Sequence, residues 1–131
     1  MMRPFLRAKL HRVRVTRCDL EYVGSISIDR NLLEAADLLP LEQVEVYNLT
    51  QGTRFTTYCI LAPAGSGEIG INGAAAHLAK PSDLVIVAAY CWLDREEIPH
   101  HRARVVLVDG DNRPLEIRRQ SPFEEPEAAN P

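Results

Sequence analysis

The Gly24–Ser25 pair is the first feature of the sequence that suggests covalent chemistry. Glycine has no Cβ, so the carbonyl of Gly24 is open to attack by a neighbouring hydroxyl, and Ser25 carries such a hydroxyl. If the fold presses the two groups together, the peptide bond rearranges to an ester. Elimination and hydrolysis then cut the chain and leave a pyruvoyl group in place of Ser25. Alone the pair is weak evidence, because Gly-Ser pairs are common in ordinary turns.

Other residues are candidates for binding and protonating a substrate. Lys9 and Arg54 can hold a carboxylate, lysine as a point charge and arginine as a planar fork. Tyr58 can act as a proton donor, since a tyrosine keeps its proton at neutral pH. The small residues Gly73-Ala74-Ala75 can bring backbone N–H groups close to an anion, and Asn72 can donate a hydrogen bond to a developing negative charge.

Each of these residues also has an ordinary structural interpretation. Lys9 and Arg54 could be exposed charges on strands, and Tyr58 could be an aromatic residue in the wall of a sheet. Asn72 could cap a helix, which is a common role for an asparagine before an alanine run. The residue types alone leave these alternatives open.

Taken together, four segments resemble the aspartate 1-decarboxylase family, whose pyruvoyl enzymes make β-alanine for pantothenate synthesis. The resemblance covers about residues 2–117. It implies a self-processing enzyme that converts L-aspartate to β-alanine and CO2, cut between Gly24 and Ser25 into a β chain, residues 1–24, and an α chain, residues 25–131. The segments are Lys9-Leu10-His11-Arg12, Tyr22-Val23-Gly24-Ser25, Arg54-Phe55-Thr56-Thr57-Tyr58 and Asn72-Gly73-Ala74-Ala75-Ala76-His77.

The resemblance also implies a role for each candidate residue. Ser25 becomes the pyruvoyl group, whose ketone forms a Schiff base with the substrate amine and whose amide carbonyl takes up electrons. Tyr58 returns a proton to the α-carbon. Thr57 lies on the other face of an ideal strand, so it reaches the same site only if the strand twists or a neighbouring subunit meets that face. The substrate-binding set is Lys9, Arg54, Thr57, Asn72, Gly73, Ala74 and Ala75, with His11 and Tyr22 around it.

Other cofactors have weak support in the sequence. No lysine has a setting typical of pyridoxal phosphate (PLP), and His77, His100 and His101 do not form a metal-binding pattern, so we predict neither PLP nor a metal. Cys18, Cys59 and Cys91 lack paired spacing and are predicted to be buried, reduced thiols. Two alternatives remain open: a pyruvoyl decarboxylase of another acidic amino acid such as glutamate, and a small β-barrel binding module that never cleaves.

Composition limits the partners and the compartment. The net charge of −3 is carried by Glu124, Glu125 and Glu127, which leaves a neutral body and argues against nucleic acid as a partner. No apolar run approaches the roughly 20 residues that span a membrane, and the N-terminus lacks the apolar stretch of a signal peptide. We therefore predict a cytoplasmic protein with one catalytic domain, residues 1–118, and a disordered acidic, proline-rich tail, residues 119–131.

The elements that must position these residues are mainly strands. Alternating polar and apolar residues predict strands at 7–16, 25–28, 43–49, 54–61, 69–71, 84–92, 103–108 and 115–117, with a bulge near Leu10-His11 and the 84–92 strand buried. Asp29 predicts the cap of a short helix that buries Leu32, Leu33, Ala36 and Leu39 and ends at Pro40. Residues 17–20 are predicted to form a turn and residues 94–98 a helical turn.

The resulting fold class is mainly β with short helices. Periodicity does not give the strand order. The resemblance implies a six-stranded double-psi β-barrel and a homotetramer in which each active site lies near a boundary between two subunits.

Overall fold

The structure is a computed structural model, and it describes residues 1–127 of the chain. These residues form one α-helix, α1 (Arg30–Ala36), and two 3-10 helices, Gly73–Leu78 and Ile98–His100. The predicted mainly β fold with short helices is confirmed. The end of the predicted tail, residues 128–131, lies outside the described residues. The strands are β1 (Arg3–Arg14), β2 (Arg17–Asp19), β3 (Ser25–Asp29), β4 (Gln43–Asn48), β5 (Arg54–Ala62), β6 (Ile69–Asn72), β7 (Leu84–Leu93), β8 (Ala103–Val108) and β9 (Pro114–Gln120).

The nine strands pair in the order β2-β6-β3-β5-β4-β7-β1-β8-β9. Three pairs are parallel, namely β2 with β6, β3 with β5, and β1 with β8, and the other pairs are antiparallel. The order contains nine strands, whereas the resemblance implies six, and the three-residue β2 lies at one end of it. Closure of the sheet into a double-psi barrel stays a prediction.

The hydrophobic core lies on one face of the sheet. Alternate side chains of β1, β4 and β7 are fully buried there, and each buried leucine or valine contributes about 1.5–3 kcal/mol to folding. Lys9, Glu45 and Thr56 point to the other face, because they share one cross-strand row through Ala88. We call this second surface the polar face. The main buried residues are Leu10, Val44, Val46, Val85 and Val87, with Leu32 and Leu33 from α1.

Two local predictions around the first strands need correction. Residues 17–19 form β2 rather than a turn, since their backbone pairs in parallel with β6. Asp29 does cap α1, because its carboxylate accepts a hydrogen bond from the N–H of Asn31 at 2.8 Å. The helix nevertheless ends at Ala36, with Asp37 in the left-handed region at φ 56°, and Leu39 beyond it is exposed instead of buried.

The remaining differences concern β7 and its neighbours. The strand is buried as predicted at Val87 and Ala89, but Tyr90 and Trp92 are exposed because they alternate onto the polar face. The helical turn predicted at 94–98 is confirmed, because the N–H of Ile98 donates to the carbonyl oxygen of Asp94 at 3.2 Å, and the 3-10 helix Ile98–His100 follows it. The bulge predicted in β1 is confirmed as a register shift between Leu10 and Val13.

Candidate active site

Ser25 is the first residue of β3 and is almost completely buried, at 1% exposure. Its hydroxyl donates a hydrogen bond to the carbonyl oxygen of Val23 at 3.2 Å and accepts one from Nδ2 of Asn72 at 3.0 Å. Residues 22–24, directly before it, are exposed. The structure therefore holds the Ser25 hydroxyl away from solvent, next to the carbonyl groups of the exposed turn.

Asn72 is the last residue of β6 and lies directly opposite Ser25 in the antiparallel β3–β6 pair. Its side chain is fully buried, and Nδ2 donates hydrogen bonds to the hydroxyls of Ser25 and Ser27, both at 3.0 Å. The side chain makes no capping hydrogen bond to the following 3-10 helix. Asn72 thus contacts the serine hydroxyl rather than acting as a helix cap.

Gly73 is the glycine that the backbone of this site requires. Its φ is +68°, which other residues rarely adopt, and a Cβ there would lie 2.6 Å from Cα and 2.7 Å from N of Gly24. At Gly24 the nearest atom to an added Cβ is the Asn72 carbonyl oxygen at 4.0 Å. The absence of a side chain at Gly73 therefore allows the backbone of Gly24 to pack on this turn. The neighbouring Ala74 is exposed and Ala75 is half-buried.

Tyr58 lies beside the beginning of β3. The parallel strands β3 and β5 pair Ile26 with Cys59, and the residues just before these two are Ser25 and Tyr58. Tyr58 and Thr57 are both half-buried. Thr57 pairs with the buried Val44 and so lies on the core side, whereas Tyr58 lies on the polar face. The two neighbours therefore point in opposite directions within one chain.

Arg54 begins β5 and is also on the polar face. Its guanidinium carbon is 4.6 Å from the ring centroid of Tyr47, a cation–π contact. The Tyr47 hydroxyl lies 2.6 Å from that of Tyr90, and burial together with this hydrogen bond raises the pKa of Tyr90 to about 12. Arg54 is four residues before Tyr58, about 13 Å along the strand. Its side chain is thus oriented by an aromatic residue rather than by an acid.

Lys9 lies on β1 and lines a cleft of about 350 Å³ together with His11 and Arg118. Three strand spacings, about 14 Å along the sheet, separate β1 from β5. The structure therefore places Lys9 and Arg54 on the same face of the sheet, on strands about 14 Å apart. Burial lowers the pKa of His11, as do the charges of Lys9, Arg12 and Arg118, and within residues 1–127 its Nδ1 has no hydrogen-bond partner.

Sequence reasoning missed one residue of the site, Arg17, which it assigned to a turn. One guanidinium nitrogen of Arg17 donates to Oδ1 of Asn72 at 3.2 Å, and the other contacts Glu68 at 3.2 Å and the Ser27 hydroxyl at 3.4 Å. A signal was present in the sequence, since Gly70 between two isoleucines of a strand indicates that another group approaches closely. A Cβ on Gly70 would lie 3.1 Å from Cζ of Arg17.

Three further observations on the described residues concern metal ions, membranes and thiols. Among residues 1–127, no group of three or more His, Cys, Asp and Glu side chains is close enough to hold a metal ion. No helix in the same residues is long and apolar enough to cross a membrane. Cys59 is buried and Cys18 and Cys91 are half-buried, and all three are free thiols.

Comparison with known proteins identifies related chains over most of this length. The family model for aspartate decarboxylase matches residues 1–115. The chain is similar to three proteins that are each named aspartate 1-decarboxylase. The protein from Syntrophobacter fumaroxidans is 53% identical over 88% of this chain and 93% of its own length. The protein from Chromobacterium violaceum is 48% identical over 93% of this chain and 97% of its own length. The protein from Caulobacter vibrioides is 55% identical over 86% of this chain and 95% of its own length.

Proposed function

The chain belongs to the aspartate decarboxylase family, and on that basis we propose that it makes its own catalytic group by cutting itself between Gly24 and Ser25. As a member of this family it is a lyase that converts L-aspartate to β-alanine and CO2, the reaction that supplies β-alanine for pantothenate and coenzyme A. The proposal of self-cleavage rests on one observation. The buried hydroxyl of Ser25 accepts a hydrogen bond from Asn72, and Ser25 directly follows Gly24 in the chain.

The cleavage needs only groups of this chain and one water molecule. Oγ of Ser25 bonds to the carbonyl carbon of Gly24, the C–N bond breaks, and the peptide becomes an ester with a free amine. Loss of the Ser25 α-proton then breaks the ester C–O bond and releases Gly24 as a carboxylate. Water replaces the nitrogen of the resulting enamine, ammonia leaves, and a ketone remains at the new N-terminus.

The surroundings of Ser25 fit a pyruvoyl group made in this way. Asn72 provides a buried N–H donor where the new group would form, and Gly73 leaves room for the cut end at Gly24. When formed, the group supplies a sink for the electron pair that CO2 leaves on the α-carbon. Tyr58, beside the beginning of β3, is the proposed acid that protonates that carbon, and Thr57, Ala74 and Ala75 are proposed substrate contacts.

The substrate carboxylates are assigned to Arg54 and Lys9. At about 4 Å and an effective dielectric of about 20, each contact has a Coulomb term of about 4 kcal/mol before desolvation is subtracted. The strands that carry the two cations are about 14 Å apart across the sheet, which favours carboxylate anchors that come from different subunits. We therefore propose a homotetramer whose sites combine residues of two subunits, and the exposed Tyr90 and Trp92 are consistent with a surface that meets another copy.

His11 and Tyr22 are proposed to surround the site rather than to react. We further propose a catalytic domain at residues 1–118, a tail beyond it, and a cytoplasmic location, which is compatible with three unpaired cysteines. L-Aspartate is the proposed small-molecule partner, with no nucleic acid or membrane involved.

The test is to incubate the purified chain until its fragment pattern is constant and then supply L-aspartate or L-glutamate. We expect CO2 and β-alanine from aspartate and much slower CO2 release from glutamate. The Ser25→Ala variant should remain intact and inactive. Faster turnover of glutamate would assign the site to another acidic amino acid, and an intact, inactive wild-type chain would support a binding module instead.

A further inference from the structure

We propose that Arg17 is a positioning residue for self-cleavage, because it fixes the orientation of the Asn72 amide so that Nδ2 faces the Ser25 hydroxyl. This inference rests on the proposed function, since it concerns the rate at which Ser25 is converted. Arg17 itself touches neither Gly24 nor Ser25 among its hydrogen bonds, so its effect would pass through Asn72.

An asparagine amide can occupy its position in two orientations that exchange the oxygen and the nitrogen. An arginine guanidinium has only donors, so the amide atom that faces Arg17 must be the oxygen. The observed contact of 3.2 Å to Oδ1 meets this requirement and directs both hydrogens of Nδ2 to the other side. There they reach the hydroxyls of Ser25 and Ser27.

Arg17 is held in place by several neighbours. Its side chain lies along Gly70, where a Cβ would come within 3.1–3.3 Å of three Arg17 atoms. Glu68 pairs with the guanidinium at 3.2 Å, and the Ser27 hydroxyl accepts a further hydrogen bond at 3.4 Å. The groove at Gly70 and the carboxylate of Glu68 thus fix the cation that orients Asn72.

The orientation matters because the two amide ends have opposite effects on Ser25. With Nδ2 facing it, Oγ accepts a hydrogen bond from Asn72 and directs its own proton towards the Val23 carbonyl. With the amide reversed, Oδ1 would accept the Ser25 proton, and Nδ2 would meet the donors of Arg17. Removing the donors of Arg17 therefore allows the reversed orientation, which leaves no Asn72 N–H beside Ser25 to donate to the negative charge that develops during the attack on Gly24.

The test uses freshly purified, uncut full-length chain, with cleavage started by warming and followed by denaturing electrophoresis. Arg17→Met keeps an unbranched apolar chain over Gly70 but removes every donor, and it should cleave about 10- to 100-fold more slowly than wild type. Arg17→Lys retains a donor and should recover part of the rate. Arg30→Ala, on the exposed side of α1, serves as the control and should cleave normally. Melting temperatures show that each variant is folded.

A double-variant cycle separates positioning from a general structural role. Asn72→Ala alone should slow cleavage, and adding Arg17→Met to it should slow cleavage no further. The inference is overturned if Arg17→Met cleaves at the wild-type rate, if Arg17→Lys is as slow as Arg17→Met, or if the two losses multiply in the double variant. A wild-type chain that never cleaves would instead overturn the proposed function, and this inference with it.

Discussion

Replacing Gly73 with alanine should impair both folding and self-cleavage, because the new methyl group would overlap the backbone of Gly24. The left-handed φ of +68° costs a residue with a Cβ about 1–2 kcal/mol. Relief of the contacts at 2.6 and 2.7 Å requires a movement of nearly 1 Å, and overpacking of this kind costs about 1–3 kcal/mol. We expect the free energy of unfolding to fall by about 2–5 kcal/mol in total.

The same movement displaces the peptide bond between Gly24 and Ser25, where we propose that the chain is cut. A misplacement of about 1 Å at reacting groups reduces a rate by about 100-fold, so the Gly73→Ala variant should cleave slowly even at temperatures where it is fully folded. The assay measures fragment formation against time below the melting temperature, and urea unfolding measures the loss of stability separately.

Two other glycines provide matched controls. Gly52 has φ +77° and no described atom within 4 Å of an added Cβ, so Gly52→Ala isolates the conformational cost. Gly67 has φ +69° and would place its Cβ 2.6 Å from the Asp111 carbonyl oxygen, so Gly67→Ala combines strain and overlap away from Ser25. Both folded controls should cleave at the wild-type rate. Normal cleavage by Gly73→Ala would show that its packing on Gly24 does not govern the reaction.

The remaining predictions concern turnover and pH. Tyr58→Phe should still self-cleave but release β-alanine about 10²–10⁴-fold more slowly, and a normal rate would exclude Tyr58 as the proton donor. Arg54→Ala should fold and cleave yet lose most activity on aspartate, and full activity would make Arg54 only a surface charge. Burial alone would raise the pKa of Asp83, but hydrogen bonds from Asn48, the Lys80 N–H and Gln51 outweigh it and lower the pKa. The stability from Asp83 should therefore be present above about pH 4 and be lost as pH falls through the lowered pKa, so urea unfolding of Asp83→Asn should show a weaker decline in acid.

The alternation of polar and apolar residues was a sound guide to local structure in this chain. It located the strands that carry Ser25 and Tyr58, because the side-chain period of a strand is two and one face packs in the core. It did not distinguish Ala89 from Tyr90, because an unbroken apolar run does not show which of its two alternating faces packs in the core. It also assigned β2 to a turn, because a three-residue strand is too short to show a period.

The candidate site depended on contacts that no local pattern contains. Arg17 and Asn72 are 55 residues apart, and they meet because β2 pairs with β6. The distance between Lys9 and Arg54 likewise follows from strand order, which periodicity does not give. The resemblance to a family provided the candidate roles, whereas the structure provided the hydrogen bonds and the close packing of Gly73.

The mass of the denatured chain tests the central claim most directly. Wild-type protein incubated at raised temperature should give two fragments, residues 1–24 and residues 25–131. The larger fragment should resist N-terminal sequencing, because it begins with a pyruvoyl group that has a ketone in place of the α-amine. Ser25→Ala, treated in the same way, should keep the full-length mass. A wild-type chain that retains its full-length mass and a free Ser25 after prolonged incubation would contradict the account.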